Sequence, residues 1–241
     1  MTETTCIITK ETINRLLKDV RQIMKNPLSD NGIYYVHDDE DLLKGYAMIV
    51  GQSDTPYFGG FYFFKFKYTN NYPYTPPVVT YHTNDGAIRF NPNLYVNGKV
   101  CVSILNTWRG EQWSSCQTIT TILLTLSTLL CKTPIINEPG FTNRNPDCEP
   151  YTSIVQYANI KTAICEMMEQ KQGVFLPEFR VFYPFMKENF IKNYEPILDF
   201  LKPKKDDPSY SIRTRIYSLT VNMNYALVYE QFIKCKEKIE N

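Results

Sequence analysis

The residues best placed to do chemistry surround Cys101, in the run Gly98-Lys99-Val100-Cys101-Val102-Ser103-Ile104-Leu105. Asn91-Pro92-Asn93 lies just upstream, with Tyr95 between that turn and the cysteine. Asn137-Glu138-Pro139-Gly140 lies downstream, beyond a stretch with helical spacing. Together they offer a nucleophile, an amide donor, a phenol and a carboxylate, but no imidazole. Cysteine hydrolases activate their thiol with a histidine, and the only two here, His37 and His82, fall in strand or turn positions. With a free pKa of roughly 8.5, a cysteine lacking a base stays largely a thiol near neutral pH. It can still accept an acyl group already activated as a thioester, and a dry, base-poor surrounding then keeps water away until an amine arrives.

The elements that must position these groups can be read from periodicity. Ile13, Leu16, Leu17, Val20, Ile23 and Met24 recur at helical steps until Pro27. The period then changes. Residues 33–36, 43–50, 61–68 and 78–82 are short aromatic and β-branched runs, with Gly59-Gly60 between the second and third and a proline-rich bend at 72–77 before the fourth. They predict a four-stranded antiparallel meander. Residues 85–115 show no regular period yet carry Phe90, Leu94, Val100, Val102, Ile104, Leu105 and both tryptophans. An ordered, apolar loop of this length is where a site is expected. Helical spacing returns at 119–130, with Thr118 as cap, then at 151–158, 164–168 and 179–191, where Pro184 is expected to kink the helix. A polar linker over 202–208 precedes a last predicted helix, 212–239. The fold class is α+β: an N-terminal helix, a four-stranded meander, a long active-site loop, a central helix and C-terminal helices.

Composition narrows the functional classes. Charged residues are 21% of the 241 and leave a net charge of +1, which gives no electrostatic reason to expect nucleic acid or an anionic membrane as partner. The longest apolar segment, 119–131, is broken by Thr and Ser and is too short to span a bilayer. No signal peptide is apparent. Seven cysteines without a C-x-x-C pair suit buried thiols in a reducing compartment, the cytoplasm and also the nucleus.

Several motifs resemble the ubiquitin-conjugating enzyme family in order and spacing. They are Asp54-Thr55-Pro56-Tyr57-Phe58-Gly59-Gly60, Tyr72-Pro73-Tyr74-Thr75-Pro76-Pro77, Asn91-Pro92-Asn93 and Gly98-Lys99-Val100-Cys101. Arg89 to Tyr95, Asn106 to Gly110, Asn137 to Phe141 and Ile164 to Glu169 look like the class-Z members. The resemblance covers roughly residues 10–172. It implies the ubiquitin-conjugating fold, a catalytic core over 8–172 and a helical extension over 173–241. In it, Cys101 would be the acceptor thiol for ubiquitin or a ubiquitin-like modifier, passed from an activating enzyme and on to a substrate lysine with or without a RING or HECT ligase. Asn93 matches the family's oxyanion asparagine. Tyr95 and Glu138 match positions lining the groove for the incoming lysine, with Asn137 the neighbouring alternative. Arg15 and Lys18 match basic residues shown to the activating enzyme, beside the reading of a solvated helix face, and Tyr74 takes the place of a ligase-contacting anchor. No cofactor or metal is implied; ATP is used by the activating enzyme.

The chain departs from the family pattern in three places, one of them the helical extension over 173–241, which resembles the family only in part and has no assigned role. Asn91 stands where the family usually has histidine. Trp113 is followed by Ser114-Ser115-Cys116, which lacks the usual proline on the ligase side. Two competing readings use the same residues: a non-catalytic ubiquitin-binding or scaffold variant of the fold, and a cysteine hydrolase, for which only His82 could serve as base.

Overall fold

A computed structural model describes residues 8–240. Thr9 opens the first helix, α1 (Lys10–Lys25), by accepting a 3.1 Å bond from the Thr12 amide, one of the donors a helix start leaves without an internal partner. Its apolar stripe buries Leu16, Val20 and Ile23. The expected meander follows as β1 (Ile33–His37), β2 (Lys44–Val50), β3 (Phe61–Lys67) and β4 (Val78–Tyr81), antiparallel in the order β1-β2-β3-β4.

Side chains alternate across a strand, and here both faces of the sheet are covered. Ala47, Ile49, Tyr62 and Phe64 point into one core with Leu16 of α1, Ile122, Leu123 and Leu126 of α2 (Ile119–Leu129), and Ile154 and Val155 of α3 (Cys148–Ala158). Met48, Val50, Phe61 and Phe63 point into a second core built by the C-terminal residues. These include Met186 and Phe190 of α4 (Tyr183–Leu201) and Val228 and Phe232 of α5 (Tyr225–Glu240). Burial on both faces is why β2 and β3 read as nearly continuous apolar runs rather than clean alternations. Phe63 stacks on Phe179 at 4.6 Å, so truncating it would open a cavity in the second core.

Two expectations fail beyond α3, which itself continues in wider, π-helical turns over Asn159–Glu166. Pro184 does not kink a helix. It sits in the first turn of α4, where a missing N–H costs nothing, and the proline inside that helix is Pro196. Residues 212–239 are not one helix either. They begin within an antiparallel hairpin, β5 (Tyr210–Arg213) and β6 (Thr220–Met223), and only α5 is helical. Ile212, Ile216, Leu219 and Met223 mimic helical spacing, but Ile216 lies in the hairpin loop and packs into the first core.

The loop over 85–115 is ordered by its apolar residues: Phe90, Leu94, Val100, Val102 and Leu105 are buried in the first core. Trp113 packs against that core, whereas Trp108 is exposed.

Candidate active site

Cys101 lies at the inner edge of this loop, only 2% exposed. Two bonds tie it to the Asn91-Pro92-Asn93 turn. Its amide donates to the Asn93 carbonyl at 2.9 Å, and Asn93 Nδ2 donates to the Cys101 carbonyl at 2.5 Å. One N–H of the Asn93 side chain therefore fixes its plane, and the second is uncommitted among the described residues. On the other flank, the Val102 amide donates to Thr107 Oγ1 at 2.9 Å, and that hydroxyl donates back to the Val102 carbonyl at 3.0 Å.

Asn91 is the hub behind the thiol. It is fully buried, and its Nδ2 donates to the Tyr57 hydroxyl at 2.9 Å and to the Leu129 carbonyl at 2.7 Å. Its Oδ1 accepts from the Asn93 amide at 2.9 Å and from Asn137 Nδ2 at 3.3 Å. Every polar atom of this buried amide is used, as burial demands. The amide thus ties the loop to the end of α2, and its resemblance to a histidine position needs no imidazole.

The neighbours Asn137 and Glu138 do different work. Asn137 braces Asn91 and donates to the Leu129 carbonyl at 3.1 Å. Glu138 caps the short helical turn Pro134–Asn137, and its Oε2 accepts a 2.5 Å bond from the Tyr217 hydroxyl. Tyr95 turns its ring to Arg89, whose guanidinium carbon sits 3.6 Å from the ring centroid and 4.3 Å from the ring centroid of Tyr217. Arg89 also donates from Nη2 to the Pro92 carbonyl, while its Nε is buried without a hydrogen-bond partner among the described residues. Tyr217 was not among the predicted site residues. It lies 79 positions from Glu138 in a stretch that reads as helix. Burial first, and then the bond to the Glu138 carboxylate, hold its phenol far above the usual value, so it acts as a donor only.

Both histidines are occupied elsewhere. His37 is bonded to the Tyr35 hydroxyl and the Leu42 carbonyl, each at 2.9 Å. His82 is bonded to the Thr80 hydroxyl at 2.8 Å and lies 5.7 Å from the Phe179 ring. Burial, and then the charge of Lys65, lower its pKa from 6.5 to about 4. No thiol–imidazole pair exists among the described residues, and the hydrolase reading has no base.

The predicted partner face is assembled at the far end of α1. Arg15 is turned inward for the most part: Nε pairs with Asp19 at 2.9 Å, Nη1 donates to the Ser115 carbonyl at 2.5 Å and Nη2 to the Gln117 carbonyl at 2.6 Å. Asp19, nearly buried, also accepts from the Tyr72 hydroxyl at 2.5 Å. Arg15 thereby staples the Ser114-Ser115-Cys116 turn to the helix, stiffening a segment that lacks proline. Lys18, Ser115 and Cys116 are exposed. Tyr74, 59% exposed, donates to Glu11 at 2.6 Å, and Trp113 Nε1 donates to the neighbouring Pro73 carbonyl at 2.6 Å.

Among the described residues no cluster of three or more His, Cys, Asp or Glu is placed to hold a metal ion, and no helix is long and apolar enough to cross a membrane.

The structure thus places an antiparallel meander behind a long ordered loop in which a cysteine and an asparagine are tied together, with no imidazole paired to the thiol among the described residues. The family described as "Ubiquitin-conjugating enzyme" matches residues 15–146, and the chain belongs to that family. Among its relatives are the proteins named Ubiquitin-conjugating enzyme E2 Z from Danio rerio, 39% identical over 77% of this chain and 56% of that protein, and from Homo sapiens, 40% identical over 71% and 51%. The Probable ubiquitin-conjugating enzyme protein 17 of Caenorhabditis elegans is 29% identical over 90% of this chain and 32% of that protein. The chain spans about half the length of the E2 Z proteins it matches. These likenesses bear out the family resemblance of the motifs and the α+β fold they imply.

Proposed function

We propose that this chain carries ubiquitin, or a ubiquitin-like modifier, as a thioester on Cys101 and transfers it to a lysine amine. The observation that carries this reading is the double tie between Cys101 and Asn93 in a loop without an imidazole. In the first step the Cys101 thiolate attacks the thioester carbonyl presented by an activating enzyme, whose own cysteine leaves as thiolate. In the second, a neutral lysine amine attacks the Cys101 thioester, the C–N bond forms, the C–S bond breaks and the amine proton is lost to solvent or to the departing thiolate. Each attack places negative charge on the carbonyl oxygen, which the free N–H of Asn93 can stabilise. Glu138 and Tyr95 border the acceptor side, while Asn137 braces Asn91 behind the thiol. Since the lysine is protonated in water at a pKa of roughly 10.4, orienting it matters as much as deprotonating it.

The catalytic core in this reading is 8–172 and the extension is 173–241. ATP is consumed by the activating enzyme, and nothing is bound here as cofactor. RING or HECT ligases and protein substrates are the further partners, with Arg15, Lys18, Tyr74, Ser115 and Cys116 as the face toward activating enzyme and ligase. The six described cysteines are free thiols, which suits the reducing cytoplasm or nucleus.

The test is a charging reaction with ubiquitin, ATP and a panel of activating enzymes, resolved without reductant. An adduct that thiol reductant removes, and that Cys101→Ala abolishes, is the expected result. No adduct with any activating enzyme, where a control carrier loads, overturns the reading.

A further inference from the structure

The extension reaches the site it follows in sequence. Between β5 and β6 the chain places two consecutive non-glycine residues in the left-handed region, Tyr217 at φ 57° and Ser218 at φ 50°. That conformation is disfavoured for residues with a Cβ and persists only where the surroundings hold it. The surroundings are visible here. The Ile216 amide donates to Asp147 at 2.8 Å, at the start of α3, and Thr214 Oγ1 donates to the Ile216 carbonyl at 2.8 Å. Ile216 itself is buried in the first core.

What the strained turn achieves is the placement of one side chain. The Tyr217 hydroxyl meets Glu138 Oε2, its ring centroid lies 4.3 Å from the Arg89 guanidinium carbon, and it makes an edge-type contact with Tyr151 at 5.8 Å. Glu138 Oε1 makes no hydrogen bond among the described residues. One carboxylate oxygen is thus held and the other left for a ligand. Arg89 lies against the rings of both Tyr95 and Tyr217 and makes no ion pair with a carboxylate among the described residues.

Resting on the carrier reading above, we propose that Tyr217 is a positioning residue for the acceptor lysine, holding Glu138 so that its free oxygen docks the arriving ammonium, which gives up one proton to solvent before the neutral amine attacks. The extension is thereby part of the acceptor site, and the hairpin tip sets how that site receives an acceptor that arrives as an ammonium ion.

The experiment compares single-turnover discharge of the preformed ubiquitin thioester to free lysine and to hydroxylamine, which is neutral near pH 7. Tyr217→Phe keeps the ring and removes the hydroxyl. One charge-assisted bond of about 1.5 kcal/mol corresponds to about a ten-fold effect, so lysine discharge should slow about ten-fold while hydroxylamine discharge stays unchanged. Glu138→Gln should show the same split, and the double variant should be no slower than Glu138→Gln alone. A merely structural role for Tyr217 would slow both nucleophiles together, and that result, or unchanged lysine discharge in Tyr217→Phe, overturns the proposal. Because Glu138→Gln alters the other end of the same bond, a poorly folding Tyr217 variant does not stop the test: equal slowing of both nucleophiles by Glu138→Gln overturns it too. Failure of the wild-type protein to charge at all would instead overturn the carrier reading, and this proposal with it.

Discussion

Replacing Asn93 by alanine separates two jobs that one amide performs. The first is mechanical: Nδ2 holds the Cys101 carbonyl at 2.5 Å. A partly buried bond of this kind is worth about 1 kcal/mol net, or about 2–4 °C of Tm in a chain of this length. If a looser loop were the whole effect, that energy would slow transfer only about five-fold. The second job is electrostatic and uses the other N–H. A lost oxyanion donor costs about 2.7–4 kcal/mol, a factor of about 100 to 1000. The two contributions differ enough in size to be told apart. Thioester exchange is nearly isoenergetic and uses a strong nucleophile, so Asn93→Ala should still reach the wild-type charging end point. Single-turnover discharge to lysine should fall about 100-fold or more, while Tm drops by only about 2–4 °C. Discharge slowed five-fold or less in a charged, folded variant would refute the oxyanion role and leave only the brace.

Two further outcomes follow from the placement of single charges. Arg15→Ala should destabilise the fold by about 3 kcal/mol, because it strands the buried Asp19 carboxylate and frees the Ser115 turn; by thermal melting that is a Tm loss of roughly 6–12 °C. The exposed Lys18→Ala should stay within about 0.5 kcal/mol of wild type, so an equal Tm loss in both variants would refute the staple. His82 binds a proton near pH 6.5 in the unfolded chain but only near pH 4 in the folded one. The unfolded state therefore gains protons first as pH falls, and stability should decline from about pH 6.5 to about pH 4. His82→Gln should flatten that part of a Tm-against-pH curve and leave lysine discharge unchanged; altered discharge would return His82 to the chemistry.

The turn that carries the candidate site was legible as an ordered loop because its signals are local. Asn91, Asn93 and Cys101 lie within eleven residues, and an apolar loop that cannot be disordered had to be packed. The meander was equally plain, since hairpin strands announce themselves by period and by their turns. The extension was harder for physical reasons. Its hairpin loop uses Tyr217 and Ser218 at positive φ instead of the glycine that usually marks such a turn. Its apolar residues also fall at steps of four and three, which suit a helix as well as they suit alternating burial in two cores. Pro184 and Pro196 could exchange roles on paper, because the start of α4 lacks a side-chain cap that would have fixed its register. With Arg15 the sequence told which element carried the charge. It could not tell that the guanidinium folds back onto the carbonyls of residues 115 and 117, a hundred positions away.

The two-sided sheet also shapes how the chain must be made. Ribosomal synthesis delivers β3 well before the segments that cover its rear face, with 116 residues separating Phe63 from Phe179. At about 5–20 residues per second, Phe63 and its neighbours Met48, Val50 and Phe61 stay uncovered for roughly 6–23 s on each nascent chain. During that interval the half-built protein shows an aromatic surface to the crowded cell, and holdase chaperones that bind such surfaces should associate with ribosomes translating the middle of this message and leave once the segment around Phe179 has emerged.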